Sequence, residues 1–118
     1  MNVRRGDVVL VDFPYPAGVG SKVRPALVVQ NDRDNARLLN TVVVQITSVT
    51  SRSAELTQVL VEIATPDGSQ SGLAFDSVAN CVNIVTLDRN RIRRRLGNLS
   101  LATMQQVDAA LKAAFGIR

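Results

Sequence analysis

Histidine and tryptophan are absent from this chain, and tyrosine and cysteine occur once each. Without histidine, catalysis by Ser-His-Asp or Cys-His groups and by histidine-dependent ribonucleases is excluded. The lone cysteine, Cys81, cannot form a disulfide within the chain or, with no histidine present, complete one of the common zinc sites. Aromatic residues make up only 3% of the chain, which argues against a broad stacking platform for single-stranded nucleic acid.

Long apolar runs are also missing, since none approaches the roughly 18 residues that a membrane span needs. Basic residues near the N-terminus are not followed by an apolar segment, because Asp7 and Asp12 interrupt it, so we expect no signal peptide. A single cysteine fits a reducing compartment, and we expect a cytoplasmic protein with no membrane association. The length of 118 residues predicts one domain spanning residues 1–118.

The charge is modestly basic, with 14 Lys and Arg against 10 Asp and Glu, and 12 of the 14 are arginines. Arginine suits planar, bidentate contact with phosphate, although a GC-rich genome produces the same bias. Five arginines fall within residues 89–95. This segment is either an electrostatic patch for RNA or an acidic protein, or a solvated connection into the last element.

The apolar pattern predicts short strands at residues 8–13, 25–30, 41–46 and 58–63, with one or two more across residues 72–78 and 82–87. The Pro- and Gly-rich residues 14–22 predict a loop, and residues 31–35 and 66–68 predict turns. Pro25 is expected at the first position of its strand, where a missing N–H is tolerated.

The C-terminal segment changes to helical spacing. Apolar residues recur there, Ser100 is the predicted N-cap, and Gly116 is the predicted end of the helix. The recurring residues are Leu101, Met104, Val107, Leu111 and Phe115. Short strands with one terminal helix predict a mainly β fold, a small closed sheet with the helix packed on it.

Two features have the side chains for chemistry on a phosphate. Arg24 precedes Pro25, which restricts its backbone to an extended conformation and holds the guanidinium at a loop–strand junction. Thr47 and Ser48 end the third predicted strand, and their hydroxyls can bond phosphate or ribose oxygens. The alternatives are an ordinary surface arginine and a solvated loop rich in serine and threonine.

Taken in order, the segments resemble the MazF/PemK family of toxin endoribonucleases across essentially the whole chain. The matching segments are Arg5-Gly6-Asp7-Val8; residues 24–32, which begin with Arg24-Pro25; Val44-Gln45-Ile46-Thr47-Ser48; Gly72-Leu73; Asp76-Ser77-Val78; residues 84–88; and Leu99-Ser100 with Met104, Val107-Asp108 and Ala110-Leu111.

This resemblance implies an SH3-like antiparallel β-barrel of the CcdB/PemK type with a C-terminal helix, assembled as a homodimer. It implies metal-independent cleavage of single-stranded RNA, without a cofactor, to 2′,3′-cyclic phosphate and 5′-hydroxyl ends, and neutralisation by a cognate antitoxin. It assigns catalysis to Arg24 and Thr47, and we place Lys22, Ser48 and Asn83 at RNA-binding positions. Arg24 fits a phosphate clamp better than a base, because guanidinium does not readily lose a proton.

Two departures from the family pattern keep other functions open. The loop before Arg24 lacks the Glu or Gln of many relatives, and residues 81–83 lack an acidic residue that others have. The alternatives are a gyrase-poisoning toxin of the same fold, as in the related CcdB group, and a non-catalytic RNA-binding relative. The pairing of Arg24-Pro25 with Thr47-Ser48 favours the ribonuclease.

Overall fold

The computed structural model describes residues 2–14 and 20–118. In this part of the chain, six strands form one sheet, accompanied by three α-helices and one 3₁₀ turn at Arg89–Arg91. The strands are β1 (Asp7–Pro14), β2 (Ser21–Val28), β3 (Asn40–Thr47), β4 (Gln58–Val61), β5 (Ser77–Asp88) and β6 (Ile92–Asn98). The helices are α1 (Asp32–Arg37), α2 (Pro66–Ser71) and α3 (Leu101–Phe115).

All neighbouring strands are antiparallel, in the order β4-β5-β3-β2-β1-β6. The predicted class, a mainly antiparallel β fold with a C-terminal helix, is therefore confirmed. The two edge strands are β4 and β6, and α2, which follows β4 in the chain, packs against β6. Within the described residues, no strand ladder joins β4 to β6.

Two glycines allow this helix to approach β6. A Cβ atom at Gly72 would lie 2.0 Å from the carbonyl oxygen of Leu96, and one at Gly97 would lie 2.2 Å from that of Gln70. Gly72 also has φ of 73°, in the left-handed region that glycine adopts without steric cost. Backbone-to-backbone packing therefore positions the segment that follows α2.

Buried side chains form two clusters, because successive residues of a strand point to opposite faces of the sheet. Val8 belongs to one cluster with Leu27, and Val9 belongs to the other with Val28. The first cluster also includes Met104, with Val107 and Ala110, from α3. Burial on both faces explains why β1 is apolar in consecutive positions.

The C-terminal helix agrees with its predicted limits. The hydroxyl of Ser100 accepts a hydrogen bond from the backbone N–H of Thr103, and Gly116 ends the helix with φ of 69°. Leu101 and Phe115, however, are 78% and 64% exposed. The helix contacts the sheet through its middle turns. Leu101 and Phe115, the first and last of the apolar residues that recur at helical spacing, therefore lie outside this contact.

Several local predictions were wrong. Residues 31–35 lie largely in α1, which Asn31 caps, and residues 66–68 begin α2 rather than forming a simple turn, because Thr65 caps that helix. Strand β2 starts at Ser21 rather than at Pro25. Pro25 is tolerated inside the strand because the ladder with β3 begins only at Ala26.

The arginine-rich segment is not simply a solvated connection. It forms the 3₁₀ turn and then β6, which pairs with β1. Residues 15–19 of the predicted loop lie outside the described residues, while β1 extends to Pro14 and β2 begins at Ser21. No helix in the described chain is long and apolar enough to span a membrane.

Candidate active site

A pocket of about 430 Å³ opens where β2 and β3 diverge. Their ladder ends at the pair Ala26–Gln45, whereas β3 continues to pair with β5 as far as Thr47. The first part of β2, before Ala26, therefore separates from the end of β3, and residues from both strands line the opening. The lining residues are Leu10, Arg24, Pro25, Ile46, Thr47, Ser48, Val49, Gly72, Leu73, Ala74, Phe75, Ser77, Arg94 and Leu96.

Arg24 is half-buried at one side of this pocket, in β2 opposite Val11 of β1. Pairing with β1 fixes its backbone, and the proline that follows restricts it further. No acidic side chain pairs with Arg24 within residues 2–14 and 20–118. Its guanidinium is therefore available to an anion from outside the described chain.

Thr47 faces the same pocket from the end of β3. Its Oγ1 accepts a hydrogen bond from the backbone N–H of Val49 at 3.1 Å, which limits the rotation of the side chain. A hydroxyl has one proton to donate and two acceptor positions, so Thr47 keeps its proton and one acceptor position for a ligand. Ser48 is exposed beside it.

The rest of the pocket is mostly apolar, and none of its lining residues is acidic. Leu10, Pro25, Leu73 and Leu96 contribute to its walls, and the side chain of Phe75 is 69% exposed at its edge. In such surroundings, the electrostatic attraction between a guanidinium and an anion is weakened less than in bulk water. The pocket therefore favours an anionic ligand that also carries an apolar part.

Sequence reasoning missed Arg94 as a residue of this pocket. Arg94 belongs to β6 and lies opposite Leu10 of β1, which in turn lies opposite Pro25. The run of arginines hid the strand, because the charged positions do not alternate with apolar ones. The apolar residues that flank the run, Ile92 and Leu96, were the only local sign of a strand.

Lys22 and Asn83 do not line the pocket. Lys22 is exposed on β2 two residues before Arg24, so their side chains leave the same face of the sheet. Asn83 donates a hydrogen bond from Nδ2 to Oε1 of Gln45 at 2.9 Å. It therefore lies near the site, and its role in RNA binding, like that of Lys22, stays a prediction.

A larger pocket, of about 570 Å³, lies between the N-terminal segment and α1. Three of its polar side chains already have partners within the protein. Asp32 accepts from the backbone N–H of Arg5, and Asn35 donates to the carbonyl oxygen of Gln30. Arg95 pairs with the buried carboxylate of Asp7. We therefore place the functional site at the smaller pocket, which is lined by two arginines without acidic partners in the described chain and by the hydroxyl residues Thr47 and Ser48.

Cys81 is fully buried in the core, and this burial raises the pKa of its thiol to about 11. A thiol with this pKa is almost entirely protonated at neutral pH and is a weak nucleophile. In the described part of the chain, no three His, Cys, Asp or Glu side chains come together in a way that could hold a metal ion.

Comparison with known proteins places the chain in a family. The sequence pattern of PemK-like, MazF-like toxins of type II toxin-antitoxin systems matches residues 4–115. Endoribonuclease MazF of Staphylococcus saprophyticus is 33% identical over 116 residues, which cover 98% of this chain and 92% of that protein. The chain therefore belongs to the PemK-like, MazF-like toxin family and is a homologue of endoribonuclease MazF.

Solved structures agree with this placement. An endoribonuclease from a mycobacterial species, solved in complex with its cognate antitoxin, is 29% identical with a TM-score of 0.78, covering 98% of this chain and 97% of that one. A MazE–MazF structure from Deinococcus radiodurans is 18% identical with a TM-score of 0.75, and the match covers 100% of both chains. The second likeness supports the fold alone.

Proposed function

We propose that this chain is a toxin endoribonuclease that cleaves single-stranded RNA, typically mRNA, without a metal ion or other cofactor. Attack of a ribose 2′-hydroxyl on the adjacent phosphate yields a 2′,3′-cyclic phosphate and a 5′-hydroxyl. The observation that carries the proposal is that Arg24 and Thr47, 23 positions apart in the sequence, line one pocket that has no acidic residue in its lining.

Arg24 acts on the phosphate. As the 2′-oxygen attacks, negative charge accumulates on the non-bridging oxygens, and a guanidinium that is already in place stabilises this charge more than it stabilises the ground state. The planar guanidinium can bond two of these oxygens at once, which a lysine ammonium cannot do in the same geometry. The fixed backbone of Arg24 lowers the cost of orienting the group.

Thr47 acts on the nucleophile. Its hydroxyl is oriented by the hydrogen bond from Val49, and its remaining acceptor position can accept a hydrogen bond from the 2′-hydroxyl and so point the oxygen at phosphorus. Ser48, next to it, donates to a phosphate oxygen. Lys22, on the same strand face as Arg24, contacts the RNA backbone farther along, and Asn83 contacts a base.

The partners follow from family membership. We propose that a cognate antitoxin neutralises the enzyme, as the complex of the mycobacterial relative with its antitoxin suggests. We also propose a homodimer that acts in the cytoplasm, where its mRNA substrate is found.

The test is cleavage of a long single-stranded RNA by purified protein in EDTA. The wild type should cleave, whereas Arg24→Ala and Thr47→Ala should each lose about 100-fold or more in rate, the usual effect of removing one transition-state contact. Arg33→Ala is the matched control, because Arg33 is exposed on α1 and does not line the pocket.

The ends of the products test the chemistry. A terminal cyclic phosphate resists phosphatase until acid opens it, and a free 5′-hydroxyl accepts a label from polynucleotide kinase. Absence of cleavage together with inhibition of DNA supercoiling would instead support a gyrase poison. Binding of RNA without cleavage by any protein in the set would support a non-catalytic relative.

A further inference from the structure

Three consecutive arginines on β6 have different surroundings. Arg93 donates from Nε and Nη2 to Oδ1 of Asp12, at 3.0 and 2.9 Å, and Arg95 donates from Nη1 to Oδ1 of Asp7 at 3.5 Å. Both acidic partners belong to β1. Arg94, between them, has no acidic partner within the described ranges, residues 2–14 and 20–118.

The register of the sheet places Arg94 on the face of Leu10 and Pro25, whereas Arg24, next to Pro25 in β2, leaves the opposite face at the same opening. Leu10 of β1 pairs with Arg94 on one side and with Pro25 on the other, so the three residues form a row across β6, β1 and β2. All three line the pocket that contains Arg24. With strands about 4.8 Å apart, the backbones of Arg94 and Pro25 are separated by about 10 Å.

The pocket therefore has two arginines on separate strands, and its lining has no carboxylate to balance them. Arg24 and Arg94 both add positive potential at this opening, which attracts an anion from solution. Because they start from different strands, the two guanidinium groups approach a bound strand at different points. A polyanion with regularly spaced charges meets this requirement.

We propose that Arg94 is a second phosphate-binding residue of this site and holds the phosphate next to the one that Arg24 clamps. The nucleotide between the two phosphates then lies against the apolar wall formed by Leu10 and Pro25. This inference rests on the proposed ribonuclease function and adds a residue to its substrate-binding surface. Arg94 contacts RNA away from the reacting bond, so it contributes to binding more than to the chemical step.

The test measures binding of a fluorescent 2′-O-methyl RNA oligonucleotide of mixed sequence, which cannot form a cyclic phosphate and so remains intact. Arg94→Gln should raise its Kd about tenfold, the effect of losing one charge-assisted hydrogen bond. The slope of log K against log salt concentration should become less negative by about 0.7, the value for one phosphate contact on a single strand.

Arg91→Gln is the matched control, because it removes the same charge three positions earlier, at an exposed residue that does not line the pocket. It should leave the slope unchanged, and both variants should keep the wild-type melting temperature. Equal changes in the two variants, an unchanged Kd in Arg94→Gln, or no detectable binding by the wild type would each overturn the assignment.

A parallel cleavage assay on ordinary RNA separates this inference from the proposed function. If the wild type cleaves, Arg94→Gln should raise KM by a larger factor than it lowers kcat. If the wild type binds the oligonucleotide but does not cleave RNA, the proposed catalysis fails, while the binding comparison still decides the role of Arg94.

Discussion

Replacing Asp67 tests how the C-terminal helix is attached to the rest of the fold. Asp67 lies in the first turn of α2, and its Oδ1 accepts a hydrogen bond from the backbone N–H of Ser100, the N-cap of α3, at 2.8 Å. Its Oδ2 accepts a hydrogen bond from the hydroxyl of Thr103. One carboxylate therefore links the start of α3 to the helix that packs against β6.

The size of the effect follows from these contacts. A hydrogen bond to a charged group contributes about 1.5 to 3 kcal/mol when it is buried, and Asp67 is partly exposed, so we expect Asp67→Ala to cost about 2 kcal/mol. A loss of this size lowers the melting temperature of a domain of 118 residues by roughly 6 to 10 °C.

The dependence on pH gives an independent check. Burial raises the pKa of Asp67, but the hydrogen bonds from Thr103 and Ser100 together outweigh it, and the pKa lies below its ordinary value. Because the folded-state pKa is depressed, the contribution is complete above the unfolded-state pKa near 3.9 and is lost as pH falls through the folded value. The difference between the wild type and Asp67→Asn should therefore shrink below about pH 4.

The assay is thermal or urea unfolding, monitored by circular dichroism, at pH 7 and at several values below 4. Glu62→Gln is the control, because it removes a nearby exposed carboxylate and should change stability by less than about 0.5 kcal/mol. Equal melting temperatures for Asp67→Ala and the wild type at pH 7 would refute the reasoning. A stability difference between the wild type and Asp67→Asn that stays constant as the pH falls below about 4 would refute the electrostatic part of the reasoning.

Four further predictions follow from single residues. Gly97→Ala should lower the free energy of unfolding by more than about 3 kcal/mol or abolish folding, because the added Cβ would collide with backbone atoms. Gly116→Ala has open space around the added Cβ and should cost about 1 kcal/mol for its positive φ alone. Chemical denaturation that ranks the two variants the other way would contradict the packing. Arg5→Ala, which loses hydrogen bonds to the carbonyl of Val29 and the carboxylate of Asp108, should cost about 1 to 2 kcal/mol in the same assay. Cys81 should react with a thiol reagent at pH 8 at least tenfold more slowly in the folded protein than in urea, because its thiol is buried and protonated; equal rates would contradict this. Arg24→Lys should keep the charge but lose about tenfold or more in cleavage rate, and near-wild-type cleavage would rule out a bidentate clamp.

The sequence was sufficient for the parts of the fold that have a clear period. The helical spacing and both caps of α3 predicted its limits, and the apolar runs predicted β1 and β3 to within two residues at each end. The residues that resemble the toxin family also identified Arg24 and Thr47, which face one pocket. Their spacing alone does not indicate that they meet, because this depends on where the β2–β3 ladder ends.

Other elements depend on contacts that a pattern does not contain. The segment that begins with Pro66-Asp67-Gly68 has the composition of a turn, but Thr65 caps it, and tertiary packing against Gly97 holds it as a helix. Its capping signals were present, with Thr65 before a proline and Gly72 at its end. The strand β6 was hidden because its arginines do not alternate with apolar residues, and two of them, Arg93 and Arg95, pair with acidic residues of β1 that are remote in sequence.

The central claim is that Arg24 and Thr47 act together on one phosphodiester through the neighbouring 2′-hydroxyl. The most direct test is single-turnover cleavage, in EDTA, of an RNA oligonucleotide containing a mapped cut site, compared with the same oligonucleotide carrying one 2′-deoxy nucleotide immediately 5′ of that cut. We predict that the wild type cleaves the first and leaves the second intact at that linkage, and that Arg24→Ala and Thr47→Ala cleave the first about 100-fold or more slowly than the wild type. Cleavage of the 2′-deoxy linkage, or full activity in either variant, would contradict the account.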